Sequence, residues 1–109
     1  MIHLLTQPAS TDQIKSASED LDGYIKFVVD LDNKIITIGG LRHVDGEETL
    51  LQRGSLQTNL WGGGYDTETK EMDFDSMINI RPSDNNRSRI VESKNIQEEI
   101  EKIVRNFIS

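Results

Sequence analysis

Two β-rich runs separated by three residues do most to limit the folds open to this chain. The runs are Tyr24–Asp30 (YIKFVVD) and Lys34–Ile38 (KIITI), built mainly from β-branched and aromatic residues. Leu31-Asp32-Asn33 lies between them, and Asp and Asn tolerate the backbone conformations of tight turns. The pattern predicts a β-hairpin whose first strand presents three apolar side chains on one face: Ile25, Phe27 and Val29.

Amphipathic segments near the two ends of the chain predict two helices. Ser10 and Gln13 form a capping-box pattern, so a helix is expected from about Thr11 to Asp20. Ser93 is the expected N-cap of a C-terminal helix. The apolar residues of that helix recur every three or four positions along one side: Ile96, Ile100, Ile103, Val104 and Phe107.

Further strands are expected at Met1–Leu5, as a short edge strand, and within Leu56–Tyr65. The clearest alternation lies in Glu71–Arg81, where even positions are mainly apolar and odd positions mainly polar. This period of two predicts an antiparallel strand with one solvated face, ended by Pro82. Leu41–Arg53 contains an Asp-Gly turn signal and fits either a strand or one helical turn.

These elements predict one α+β domain over residues 1–109. Its architecture would be two-layer: a mostly antiparallel sheet of four to six strands, with an N-terminal and a C-terminal helix on one face. The opposite face of the sheet would stay solvated or meet a partner.

The composition narrows the function classes. The net charge is −7, which repels nucleic acid and anionic membranes unless a local basic patch overrides it. The chain has no cysteine, which excludes disulfides and thiolate catalysis and fits a reducing cytosol. The N-terminus lacks the basic lead of a secretory signal, and no apolar run approaches a membrane span. We therefore expect a cytoplasmic protein with no cofactor.

An arginine-rich stretch stands out against this acidic background. Three of the six arginines, Arg81, Arg87 and Arg89, fall within nine residues that begin at the last residue of the predicted strand. Guanidinium, amide and hydroxyl groups bind phosphate or carboxylate, which predicts an anion-binding loop at Asn79–Arg89 with an aromatic platform nearby. The candidate residues are Asn79, Arg81, Asn85, Asn86, Arg87, Ser88, Arg89 and Trp61. In the alternative interpretation, the arginines neutralise nearby acidic side chains and the polar residues pin the loop: the acids are Glu71, Asp73 and Asp75.

Two other motifs are open to more than one interpretation. The run Gly62-Gly63-Gly64 after Trp61 fits either of two interpretations. One is close approach of a ligand, with Trp61 or Tyr65 stacking on it. The other is a bulge or a strong bend, with Trp61 in the core or covering an edge. His43-x-Asp45 with Glu47 and Glu48 fits an acid/base pair or metal ligands, but the spacing favours a turn with solvated acids.

No metal site is indicated by the sequence. Asp30-x-Asp32-Asn33 resembles the opening of a calcium loop, but Ile35 and Leu41 stand where such a loop needs glycine and glutamate. We therefore interpret this segment as the hairpin turn.

Three functions follow as hypotheses. The first is a non-catalytic binding or interaction module, with an unknown protein or a small anionic ligand as its partner. The alternative is a small phosphate-ester hydrolase or nuclease, which requires His43 or Asp66 to lie near the arginine loop and act as a base. The third is RNA binding, with a steep salt dependence. A homodimer through the second sheet face or the edge strand stays open.

Four motifs resemble those of one family: HVDGE (His43–Glu47), NLWGGG (Asn59–Gly64), INIRP (Ile78–Pro82) and NRSR (Asn86–Arg89). The chain resembles, over nearly its full length, small uncharacterised bacterial proteins, cyanobacterial ones among them, that carry a domain of unknown function. The resemblance implies a stand-alone cytosolic bacterial domain and assigns no role to any residue.

Overall fold

The computed structural model describes residues 1–108 and contains one antiparallel five-stranded sheet and three α-helices. The strands are β1 (His3–Leu5), β2 (Tyr24–Asp30), β3 (Ile35–Ile38), β4 (Leu60–Asp66) and β5 (Met72–Asp73), in the spatial order β1-β3-β2-β4-β5. The helices are α1 (Thr11–Glu19), α2 (His43–Gln52) and α3 (Lys94–Phe107). Short 3₁₀ turns span Gln57–Asn59, Met77–Asn79 and Pro82–Asp84. Within residues 1–108, no helix is both long and apolar enough to cross a membrane.

The β2–β3 hairpin forms as predicted, and the fully buried Asp30 holds its turn. One carboxylate oxygen of Asp30 accepts the amides of Asp32 at 2.9 Å and Asn33 at 3.0 Å, and the other accepts the Ser55 hydroxyl at 2.6 Å. Burial alone would raise the pKa of Asp30, but these hydrogen bonds outweigh it and lower the pKa. The turn interpretation of this acidic segment is confirmed.

The terminal helices pack on the sheet face that carries Phe27 and Val29. Ser10 and Gln13 form the predicted capping box at the start of α1. Ser93 caps α3 by accepting a hydrogen bond from the Ile96 amide at 3.2 Å. The most deeply buried residues of the two helices are Ala17, Ile100 and Val104. The predicted α+β class, the antiparallel sheet and the shared face of the two helices are confirmed.

The expectation of a bare second sheet face is wrong, because α2 covers part of it. Residues His43–Gln52 form a ten-residue helix rather than a strand or a single turn. Gly46 brings this helix close to the sheet: an added Cβ would lie 2.5 Å from the Thr37 hydroxyl. Leu50 is fully buried in a second, smaller core with Val28 and other residues. The Asp-Gly turn signal was misleading here, since this glycine serves helix–sheet contact.

The expectation of a strand over Glu71–Arg81 is also wrong. Only Met72–Asp73 pairs with β4. Asp73 then accepts the Asp75 amide, and Ser76 caps the Met77–Asn79 turn by accepting the Ile78 amide, so local side-chain bonds replace the ladder. Burial does not follow the predicted alternation either, because Asn79 is buried while its apolar neighbour Ile80 is 40% exposed.

Candidate functional site

Asn79, from the predicted anion loop, completes the open edge of β4. Its Oδ1 accepts the Gly62 amide at 2.9 Å, and its Nδ2 donates to the Gly62 carbonyl at 3.0 Å. Nδ2 also lies 3.1 Å from the Phe74 carbonyl and 3.0 Å from that of Arg89. The side chain is fully buried, with 0% exposure. Asn79 therefore takes the place of a neighbouring strand where β5 has ended, and both protons of its Nδ2 are engaged, so it has no donor left for an anion.

Arg81 continues the same edge. Its Nη1 donates to the Leu60 carbonyl at 2.8 Å, and its Nε donates to Asp84 at 2.8 Å. The guanidinium lies 4.1 Å from the centroid of the Trp61 ring, and both side chains are buried. The face on which a ligand would stack is thus occupied by Arg81. Within residues 1–108, Nη2 of Arg81 is buried without a hydrogen-bond partner.

Asn86 fastens the loop to this edge. Its Nδ2 donates to the Asn79 carbonyl at 2.8 Å and lies within hydrogen-bond distance of two further carbonyls, and its Oδ1 accepts the Glu92 amide at 2.8 Å. We call Asn79, Arg81 and Asn86 the clamp. All three are buried, and their polar groups bind mainly backbone. This is the loop-pinning arrangement that the second interpretation described.

The other candidates, Asn85, Arg87, Ser88 and Arg89, are exposed. Asn85 adopts the left-handed conformation at φ 61°, and the Ser88 hydroxyl donates to the Ile90 carbonyl. Arg89 Nε donates to Asp75 at 3.0 Å, and in the described chain the Arg87 side chain makes no hydrogen bond or ion pair. Anion binding by this loop stays a prediction. The exposed donors of the loop belong to these four residues.

The three glycines lie within a regular strand. β4 pairs with β2 without interruption from Tyr24↔Asp66 to Asp30↔Leu60, so the expected bulge is absent from this pairing. A Cβ at Gly64 would overlap the Tyr24 hydroxyl, and one at Gly63 would overlap the Phe27 ring. The glycines leave room for aromatic side chains from the neighbouring strand. Trp61 is in the core at 3% exposure, as one interpretation held.

A cleft of about 380 Å³ opens on the sheet face that carries α2. Tyr24 and Lys26 of β2 line it, because their side chains share a face with Val28 and point away from the main core. The other lining residues come from the start of α2 and from the segment around the clamp: Arg42, His43, Val44, Asp73, Asp75, Ser76, Met77, Ile78 and Arg89. Arg89 is the residue that the predicted loop contributes.

The charged groups of the cleft differ in how far they are neutralised. Arg89 pairs with Asp75, and Arg42 pairs with Asp45 at 3.1 Å. Within residues 1–108, Lys26 makes no side-chain hydrogen bond or ion pair, although it is only partly exposed. Its ammonium is therefore the basic group of the cleft that has no ion-pair partner in the described chain.

Tyr24 and Asp73 form a short hydrogen bond at one end of the cleft. The Tyr24 hydroxyl donates to Asp73 at 2.5 Å. Burial, together with this bond and the charge of Asp73, raises the pKa of Tyr24 well above its ordinary value. The phenol is therefore a neutral donor at physiological pH, already engaged by the carboxylate.

His43 enters the cleft as a neutral imidazole. Its Nε2 lies 2.7 Å from the Gly63 carbonyl, which can only accept, so Nε2 carries the proton and Nδ1 is an acceptor. Burial lowers the pKa of His43, and the nearby Lys26 charge acts in the same direction. The Gly63 bond and the carboxylates of Asp73 and Asp75 partly oppose this lowering.

The acid/base candidates are brought together only in part. His43 lines the same cleft as Arg89, but Asp66 lies outside its lining and accepts the amides of Glu68 and Thr69 in a turn. The expected turn at His43–Glu48 is instead helical. Within residues 1–108, no three acidic or histidine side chains gather in a way that could hold a metal ion.

Tyr24, Lys26 and Arg42 line the cleft but are not among the site residues expected from the sequence. One signal was available for the first two: they are the polar members of the β2 face opposite Ile25 and Phe27. No comparable signal marks Arg42, because its place depends on how α2 crosses the sheet.

Comparison with known proteins gives a family and no further relative. No curated protein and no solved structure matches the chain. A family model described as "Protein of unknown function (DUF5674)" matches residues 3–107. Since this match spans nearly the whole chain, the protein belongs to the DUF5674 family.

Proposed function

We propose that this protein is a non-catalytic binding module whose ligand site is the cleft between α2 and the segment preceding the clamp. The observation that carries the proposal is Lys26, a partly buried lysine that has no ion-pair partner in the described chain and lines a cavity of about 380 Å³. That volume is in the range of small-molecule sites. An anionic ligand would supply an ion-pair partner for this ammonium.

Two arginines of the predicted anion loop, Arg87 and Arg89, also support an anionic ligand. Arg89 lines the cleft and can exchange Asp75 for a ligand, because both partners of that ion pair are solvent-exposed. Arg87 adds an exposed positive charge to the same loop. Together they favour the approach of an anion to a protein whose overall charge would repel it.

Nitrogen-15 NMR tests the proposal with four probes: sodium octanoate, adenosine monophosphate, inorganic phosphate and sodium benzoate. We expect at least one probe to shift the amides of residues 42–44 and 73–78. The amides of Glu98 and Lys102, on the outer side of α3, serve as the internal control and should not move. If no probe produces cleft-specific shifts at millimolar concentration, the proposal is wrong.

The hydrolase hypothesis is retained as a second candidate because of His43. Its unprotonated Nδ1 could accept a proton, and Arg42 and Arg89 line the same cleft. Hydrolysis of bis(p-nitrophenyl) phosphate, lost in His43→Gln and kept in His3→Gln, would support it. Equal rates for the three proteins and a buffer blank would reject it.

The proposal also covers the cellular location of the protein and its macromolecular partners. A bacterial, cytosolic protein is supported by the resemblance of its four motifs and by the absence of cysteine. A second copy pairing along the edge strand β1 stays a prediction, which sedimentation velocity tests. RNA binding has weaker support, since the cleft also carries Asp73 and Asp75.

A further inference from the structure

We infer that the ligand of the cleft is a singly charged carboxylate with an apolar body, the chemical class to which medium-chain fatty acids belong. This inference rests on the binding function proposed above and names the class of molecule that would fill the site. Three features of the cleft support it: the charged groups of the lining, the apolar walls, and an ammonium without an ion-pair partner.

The charged groups of the lining favour a ligand with a single negative charge. Three basic side chains and two carboxylates line the cleft, and Asp45, the ion-pair partner of Arg42, lies outside this lining. Two of the basic groups, Arg42 and Arg89, already have carboxylate partners. A ligand with several phosphates would face Asp73 and Asp75 at close range, whereas a monoanion would be neutralised by Lys26 alone.

The walls offer contact to an apolar body. Val44 at 45% exposure and Met77 at 66% exposure stand in the lining, together with the partly buried Ile78. These side chains come from α2 and from the turn at Met77–Asn79, so they face the cavity from different elements. An alkyl or aryl group lying between them would remove apolar surface from water, which a bare inorganic anion would not do.

Lys26 can pair with one anionic head group, a carboxylate included. Lys26 presents a point charge with three donors, and it lacks the fork of arginine, which matches two phosphate or carboxylate oxygens at once. The arginine fork of Arg81 is not available to a ligand, because this side chain is buried over Trp61 in the clamp. A single ammonium and an apolar wall are the features that bind the head and the tail of a fatty acid.

Isothermal titration with three ligands of equal chain length tests the inference: octanoate, octyl phosphate and octylamine. We expect octanoate to bind about tenfold more tightly than octylamine, because only octanoate pairs with Lys26. We also expect octanoate to bind more tightly than octyl phosphate, whose second charge meets the carboxylates. Tighter binding of octyl phosphate would overturn the inference and leave the binding function standing.

Variants locate the two parts of the ligand. Lys26→Met should weaken octanoate about tenfold, while Lys26→Arg and the exposed control Lys15→Met should stay within about threefold of the parent. Met77→Ser should weaken octanoate about fivefold but leave propionate unchanged, because only the longer chain reaches the wall. Circular dichroism checks that each variant is folded.

The outcomes separate the two proposals. If octanoate affinity is unchanged in both Lys26→Met and Met77→Ser, the carboxylate class is wrong. If adenosine monophosphate shifts the cleft amides and none of the octyl compounds does, the class is again wrong, but the binding function stands. If neither set of probes produces shifts, the binding function itself fails.

Discussion

The clamp and the cleft contain similar kinds of side chain and use them in opposite ways. In the clamp, Asn79 and Arg81 are buried, and their donors end mainly on backbone carbonyls. In the cleft, Lys26 is partly exposed and its ammonium meets no acceptor in the described chain. The difference shows that a run of hydrogen-bond donors in a sequence predicts only that these side chains form hydrogen bonds. Whether those bonds go to backbone or to a ligand depends on burial.

The clamp exists because β5 is too short to cover β4. β5 pairs only with Gly64 and Tyr65, which leaves the outer edge of β4 open from Gly62 back to Leu60. Open edges of sheets expose unpaired amides and carbonyls that can pair with other chains. Asn79 supplies both partners of Gly62, and Arg81 supplies one for Leu60, so two side chains do what a strand would do.

The largest expected effect is the loss of the clamp amide. Asn79→Ala leaves the Gly62 amide and several carbonyls unpaired in a buried place, which should lower the free energy of unfolding by about 4 kcal/mol. Urea denaturation followed by circular dichroism measures this change. Asn95→Ala, an exposed asparagine on α3, is the matched control and should change stability by less than about 0.5 kcal/mol. A similar, small effect in both variants would show that the edge of β4 does not depend on Asn79.

A second comparison sets the two arginines of one loop against each other. Arg81→Met removes the bonds to Leu60 and Asp84 and the stacking on Trp61, and should cost about 3 kcal/mol. Arg87→Met should change stability by less than about 0.5 kcal/mol, because its side chain is exposed. Thermal unfolding of both variants checks the difference. Equal losses would contradict the division into clamp and open loop.

Features set by near neighbours could be predicted from the sequence. The hairpin turn at Asp30, the capping box at Ser10 and the cap at Ser93 depend on residues a few positions away. The apolar stripe of α3 could also be predicted from the sequence, because an amphipathic helix buries residues at a fixed period. Each of these elements formed within a residue or two of its expected ends.

Features set by distant partners could not be predicted. Gly46 looked like part of a turn because its reason, contact with Thr37 and Val28 on the sheet, lies in another element. The alternation after Lys70 suggested a strand because the sequence does not show whether the local hydrogen bonds of Asp73 and Ser76 outweigh strand pairing. Asn79 and Arg81 illustrate the same limit: the sequence marks both as polar groups of a candidate site, but their bonds to the edge of β4 depend on a distant strand.

The neutral imidazole in the cleft predicts a pH dependence of stability. Burial holds the pKa of His43 below its unfolded value of about 6.5, so the native state binds fewer protons there than the unfolded state. The His43 contribution is complete above that value and is lost as the pH falls through the folded pKa. His43→Gln should flatten the stability profile in this acidic window, and the control His3→Gln should leave it unchanged. Chemical denaturation at a series of pH values measures both, and matching profiles for all three proteins would contradict the burial of a neutral imidazole.

The charge of Lys26 should be visible in the same imidazole. Because the ammonium lowers the pKa of His43, Lys26→Met should raise that pKa. Proton NMR of the imidazole ring through a pH titration measures the change, with Lys34→Met, an exposed lysine beyond the cleft lining, as the control. An unmoved pKa would mean that the ammonium lies in solvent away from His43, which would remove the main support for an anionic ligand.

A small effect on stability, like that of Arg87→Met, is expected for Arg89, the predicted loop residue that lines the cleft. The ion pair between Arg89 and Asp75 is 3.0 Å long, but its side chains are 59% and 40% exposed, so solvent screens it. Arg89→Ala should therefore change the free energy of unfolding by less than about 0.5 kcal/mol and should weaken octanoate only slightly. Urea denaturation at low and high salt provides the measurement. A loss comparable to that of Arg81→Met would place Arg89 in the clamp. The cleft would then have only Lys26 and Arg42 as basic groups, and Lys26 would remain the one able to bind a carboxylate without first giving up a partner.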